Sequence, residues 1–207
     1  MVIYLFIQDE RSFDVFHTKA ENIYRLDEVQ NFPGTILQKV ALSMPGMGPG
    51  MLKDFPEVSN YARFMCRPKQ LLIREEKKFL LPFVATVDST FLEIFDFEVL
   101  QGDRSTALDA PYSIMITETT ARKFFNSTDD ALGNALTFRD KQYKVTGILK
   151  DVPENSHMKF DALISMTTIT SEEKEFNNRW GSNFLNTYLV LHPQTDIKVL
   201  ESKFPAF

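Results

Sequence analysis

Three histidines, one cysteine, a glycine-rich run and two carboxylate pairs are the residues whose types could do chemistry in this chain. His17, His157 and His192 could shuttle protons or hold a metal. A metal site written in sequence shows as HExxH, CxxC or a Cys/His cluster, and none is present. Each histidine stands alone and reads as a surface or loop residue. Cys66, in "RFMCRP", could be a nucleophile with a distant histidine as its base. Within a strand-like run a buried, inert thiol is the commoner state. No GxSxG elbow occurs. "PGMGPG" places Gly46, Gly48 and Gly50 ahead of a short helix expected at Met51 to Phe55, as a phosphate loop would. However, Pro45 and Pro49 remove backbone donors and the GK[ST] ending is missing, so the run reads as a rigid connecting loop. Met44, Met47 and Met51 read as core filling or a soft apolar contact surface. Glu75-Glu76 and Asp129-Asp130 fall in charged turns, and a glycosidase pair is defined by separation in space. Asn126-Ser-Thr is a glycosylation sequon, a pattern with many false positives. Catalytic, cofactor-binding and metal-binding residues are all expected to be absent.

Bulk properties agree. The 207 residues suit one large domain or two small ones, and with 43% apolar residues a core forms without a metal or disulfide staple. The net charge of -5, with both signs interspersed, argues against a nucleic-acid binder, which needs a clustered basic face. A lone cysteine allows no intrachain disulfide and fits either redox compartment. "MVIYLFIQDE" lacks the basic start and cleavage site of a secretory signal. The uncharged run Val40 to Leu52 is broken by two prolines and three glycines, far from the ~20 apolar residues of a membrane span.

The elements that must position these residues are short. Phe13, Phe16 and Ala20 have helical spacing behind Ser12 as N-cap. Strands are expected at Asn22–Val29, Thr35–Leu42 and Val58–Pro68, with a turn at Phe32–Gly34. "QLLIREEKKFLLPFVATV" predicts a hairpin turning at Glu75–Lys78, with Leu71 and Ile73 on one face and Phe79, Leu81 and Phe83 on one face beyond it. Asp88 is placed as N-cap of a helix carrying the pair Phe91 and Phe95. "YSIMIT" is a strand, and Thr117 caps "ETTARKFF" with Glu118 at the helix's positive end. Ala135–Phe138 and Gln142–Leu149 form a second hairpin, and Phe160–Met166 is a strand. Thr170 and Glu173 are spaced as a capping box. "TYLVLHP" is a strand and Asp196–Phe204 a helix. Short strands with few helices and no βαβ alternation predict an α+β protein with mixed or antiparallel sheets and two subdomains.

The order of these pieces carries a resemblance. "SFDVFHTKAENIYRL", "MGPGMLKDFPEVSNYARF", "VDSTFLEIFDFEVLQGD" and then "ITETTARKFF" followed by "KQYKVTGILKDVP" resemble the MacB-like periplasmic core domain of FtsX-like ABC-transporter permeases. The order holds from Ser12 to Pro153 and more loosely through "TYLVLHPQTDIKVLESKF". Phe125 stands where the family usually has Gly, and Leu132 where it usually has Pro, while Gly133 and Gly147 match. Here Gly133 is expected to supply a positive-φ turn, and Gly147 close packing or a bulge.

The resemblance implies that residues 1–207 are a non-catalytic extracytoplasmic domain, cut from between the first and second membrane helices of a longer permease. Its fold would have a membrane-proximal, porter-like part with a second subdomain inserted. ATP would be hydrolysed elsewhere, on a cytoplasmic ATPase domain or subunit that this domain does not touch. The domain would couple that hydrolysis to export or mechanical work, facing the periplasm from the inner membrane. Partners would be the transmembrane part of the same permease, a second permease copy, and a periplasmic partner or exported substrate. The competing expectations are a free-standing secreted binding or adhesion module, and a hydrolase using Cys66 or a carboxylate pair.

Overall fold

A computed structural model of the chain describes residues 10–30, 34 and 36–207. The expected Phe32–Gly34 turn lies largely outside these residues, as does most of the opening decapeptide. Eleven strands are present among the described residues: β1 Ile23–Arg25, β2 Glu28–Gln30, β3 Gln38–Val40, β4 Val58–Arg74, β5 Lys77–Val87, β6 Val99–Gly102, β7 Ser113–Thr117, β8 Ala135–Phe138, β9 Lys141–Leu149, β10 Ala162–Ser165 and β11 Asn186–Leu191. Five short helices join them: α1 Met47–Asp54, α2 Phe91–Ile94, α3 Glu118–Phe124, α4 Thr167–Glu172 and α5 Ile197–Lys203. This is the expected α+β class, built on one large mixed sheet.

The sheet runs β1-β11-β4-β5-β10-β7-β9-β6, and β8 pairs with both β4 and β9. Strands β4, β5, β10, β7, β9 and β8 therefore close into a ring, a small barrel. All six give side chains to one apolar cluster that includes Leu72, Leu81, Ile114, Leu136, Val145 and Ile164. The first half of β4 carries β11 on the edge that β8 occupies farther along, Phe64 facing Asn186 and Leu72 facing Phe138. Beyond β11, β1 ends the sheet, and α1 and α5 pack there around Met51, Leu189 and Leu200. The expected division into two parts takes the form of separate apolar clusters along one unbroken sheet.

The β4–β5 hairpin turns at Glu75-Glu76, within the expected span, and Leu71 and Ile73 share a face as expected, but Phe83 does not share the face of Leu81. Leu72 is buried and its neighbour Leu71 is exposed; Leu81 is buried and Phe83 is exposed. Val84 and Leu81, three residues apart, join the same cluster, which strict alternation forbids. The hairpin switches face between them, near Lys69, whose φ is +52°.

Several expected starts move. Residues 10–12 are helical, so Ser12 lies in a helical stretch and does not cap one at Phe13; only a 3-10 turn, Ala20–Asn22, follows. The strand expected at Asn22–Val29 is two, β1 and β2, and Thr35–Leu42 shrinks to β3. Helix α1 begins at Met47, so Gly48, Pro49 and Gly50 are helical and not a loop. Pro49 falls in the first turn, where its missing N–H has no intrahelical partner to lose. A Cβ on Gly48 would lie 2.5 Å from the Tyr61 ring, so only glycine lets α1 approach β4 there. Thr90, not Asp88, is the N-cap residue of α2, and α4 starts at Thr167, before the supposed capping box.

Other local signals hold. Thr117 Oγ1 accepts from Thr120 N at 3.3 Å, capping α3, and Asp196 Oδ1 accepts from Lys198 N and Val199 N, capping α5. Gly133 has φ +81°. The β7–β9 register shifts between Ile114 and Met115, opposite Gly147, where a Cβ would meet Met115 Cε at 2.4 Å. Phe91 and Phe95 pair with ring centroids 4.9 Å apart.

Candidate functional site

Two histidines expected to stand alone come together. His17 is 5% exposed, not on the surface, and Phe95 and Phe97 flank it edge-on with centroids at 5.2 Å. Its Nδ1 accepts from Asp96 N at 3.0 Å, and Nε2 is buried without a hydrogen-bond partner. Burial holds the His17 pKa below its ordinary value, partly countered by Asp14 and Asp96. A neutral ring carrying its proton on Nε2 follows. With Nδ1 already accepting from Asp96 N and Nε2 protonated, the ring has no free lone pair for a metal. Among the described residues no group of three His, Cys, Asp or Glu side chains is placed to hold one.

His157 Nδ1 lies 2.5 Å from Asp14 Oδ2, and its Nε2 lies 2.9 Å from Tyr188 Oη. An ionised carboxylate only accepts, so Nδ1 donates to Asp14; in the tautomer with that single ring proton, Nε2 is the acceptor of a hydrogen bond from Tyr188 Oη. These groups line a cavity of about 280 Å³ with Arg25, Ile23 and Phe95. An Asp–His pair on a phenol can relay a proton, but burial pushes the Tyr188 hydroxyl up to about 12, away from a base or nucleophile at neutral pH. The arrangement is a clasp. It ties the segment around Asp14, the loop between β9 and β10, and strand β11, with Asn155 Nδ2 donating to Ser12 O at 2.8 Å beside it.

A second polar centre sits where α1, β4 and the end of β5 meet. Arg63, 1% exposed, donates from Nε to Asp88 Oδ2 at 2.9 Å and from NH2 to Asp88 Oδ1 at 2.7 Å. Its NH1 donates to Pro45 O at 2.8 Å and Asn177 Oδ1 at 2.9 Å. Asp88 also accepts from Arg63 N at 2.7 Å. A buried guanidinium survives only with partners on most of its donors, which this hub supplies. Nothing in the spacing of Arg63 and Asp88 announced it.

The remaining sequence candidates stay apart. Burial pushes the Cys66 thiol up to about 11, and its Sγ lies 3.6 Å from Lys159 O. Glu75 and Glu76 are exposed at the hairpin tip, and Asp129 is held by Gln101 Nε2 at 2.5 Å. The supposed phosphate loop has its donors occupied: Gly46 N by Arg179 O at 3.0 Å and Met47 N by Met44 O at 3.1 Å.

The family model described as MacB-like periplasmic core domain matches residues 1–206. No curated protein matches the chain. Among solved structures, a domain named for a permease protein of Porphyromonas gingivalis superposes with TM-score 0.76 at 23% identity, covering 92% of this chain and 84% of that one. The periplasmic region of MacB from Actinobacillus actinomycetemcomitans gives TM-score 0.61 at 12% identity, covering 93% and 82%. The extracellular domain of the noncanonic ABC-type transporter YknZ from Gram-positive bacteria gives 0.54 at 13%, covering 75% of each chain. At these identities the likeness is one of fold.

Proposed function

We propose that this chain, which belongs to the MacB-like periplasmic core domain family, is a non-catalytic extracytoplasmic domain that couples cytoplasmic ATP hydrolysis to export or mechanical work. It takes no cofactor. It stands on the periplasmic side of the inner membrane, between the first and second membrane helices of a permease, and its transmembrane part and a cytoplasmic ATPase complete the machine. A second permease copy and a periplasmic partner or substrate are its further contacts.

The observation that carries this reading is strand β4. Its 17 residues run unbroken from the sheet end holding α1 and α5 into the small barrel. A displacement at one end moves the other as a rigid body. The Arg63–Asp88 hub and the Asp14–His157 clasp fix the neighbouring segments to it. The non-catalytic part rests on Cys66 and Tyr188, both held in their weakly nucleophilic protonated forms.

The test is the coding sequence on both sides. One apolar stretch of about 20 residues upstream and three downstream support the reading. A cleavable signal upstream with a stop codon directly downstream makes the chain a secreted module and sinks it.

A further inference from the structure

A cleft at one end of the barrel holds a concentration of unused donors. Its cavity is about 250 Å³, smaller than the roughly 300–1,000 Å³ that engulfs a drug-sized molecule. The floor is apolar: Met65, Val84, Phe138 and Ile164, all buried. The rim is cationic. Arg67 leaves β4 on the floor's face, just before the hairpin switches sides at Lys69. The β8–β9 turn, Arg139-Asp140 with φ of 49° and 61°, carries Arg139 and then Lys141 to the same cleft.

Among the described residues, neither arginine meets a carboxylate. Arg67 has one polar contact, NH2 to Met65 Sδ at 3.7 Å. Arg139 donates to Gln70 Oε1 at 3.1 Å and lies over the Phe138 ring. Two uncompensated guanidinium groups in one cleft stand out in a chain of net charge -5. Lys141 is already held by Glu172, which also takes the Tyr112 hydroxyl. Below the rim, Tyr143 is 6% exposed, and its hydroxyl makes no hydrogen bond among the described residues without being sealed from solvent. Tyr143 lines the cleft together with Lys141, Glu172 and Arg139. A buried hydroxyl left open to a cavity is a donor awaiting an acceptor.

We infer that this cleft binds an organic monoanion of amino-acid size, a carboxylate on a short apolar body, with Arg67 and Arg139 on the carboxylate, Tyr143 donating a hydrogen bond and the body on Val84 and Ile164. A guanidinium fork matches carboxylate geometry, and two guanidinium groups line this cleft. Glu172 at the rim disfavours a phosphate dianion. The site goes beyond the transmission of movement and does not depend on it.

Titration of the chain with N-acetyl-L-leucine, N-acetyl-L-leucinamide and inorganic phosphate, followed by amide NMR shifts, tests the inference. Saturable binding of the carboxylate alone is expected, with Kd on the order of 1 mM. Arg67→Gln and Arg139→Gln, both at exposed positions, should each weaken it about tenfold. Tyr143→Phe should weaken it roughly fivefold with an unchanged fold spectrum. No binding, equal binding of the amide, phosphate binding as tight as the carboxylate, or arginine variants that bind normally would each overturn it.

Discussion

Asp88→Ala is the sharpest probe of how the parts are held. It removes three hydrogen bonds at once, from Arg63 Nε, NH2 and N, and leaves a guanidinium that is 1% exposed without its counter-charge. Breaking such a buried pair costs about 3–5 kcal/mol. Pro45 O and Asn177 Oδ1 still receive NH1, and the Asp88 side chain is 13% exposed, so water reaches the vacated place. The lower end, about 3 kcal/mol, is therefore expected. For a chain of this size it lowers Tm by about 6–12 °C, at roughly 2–4 °C per kcal/mol. Urea unfolding followed by circular dichroism at pH 7.5 measures it. The double variant Arg63→Met with Asp88→Ala removes the stranded charge along with its partner and should recover at least about 1 kcal/mol of the loss. A cost for Asp88→Ala below about 1 kcal/mol, or a double variant less stable than the single, refutes the argument that the unpaired charge is what destabilises.

Three more outcomes follow from other residues. Burial depresses the His17 pKa, so the unfolded chain takes up that proton first: the associated stability is complete above pH 6.5 and falls as pH drops through 6.5 toward the lowered folded value. Asp96, also depressed, loses its share only below the ordinary carboxylate range, so the slope of unfolding free energy between pH 7 and 5.5 should flatten in His17→Phe whatever that variant's absolute stability. Cys66, shifted from 9.0 to about 11, should react with a thiol reagent at pH 8 roughly a hundredfold more slowly than in the denatured chain, and Cys66→Ser should leave folding intact. Gly147→Ala should cost about 1–3 kcal/mol, seen as a lowered urea midpoint, because the new methyl meets Met115 Cε and Gln101 O inside the sheet.

What was legible in the chain was local. Thr117 announced its helix because a cap acts on a backbone N–H three residues away. The β8–β9 hairpin and Gly133 were readable for the same reason: each is decided within one turn. What escaped is decided by residues far apart. Asp88 has the type and place of a cap, yet the pull of a buried guanidinium 25 positions earlier wins its carboxylate. "PGMGPG" has loop composition, but the Tyr61 ring makes glycine a packing requirement inside α1. Asp14 and His157 are 143 positions apart and no spacing rule joins them. Phe83 was placed on the wrong face because the alternation shifts near Lys69, in the αL region within a continuous β4 and with no glycine to mark the place.

The sharing of one edge of β4 between β8 and β11 also governs how the molecule can be made. Strand β4 is synthesised early, yet the neighbour that covers its first half does not arrive until Asn186–Leu191. Until then a stretch rich in Tyr61, Phe64 and Met65 presents unpaired N–H and C=O groups, the kind of edge that other chains can add to. Such distant pairing is slow to find, because the loop entropy is lost before the contacts form. From Arg74 until Asn186 a growing chain thus carries its central strand half-clothed, and the completion of β11 is the moment at which association gives way to folding.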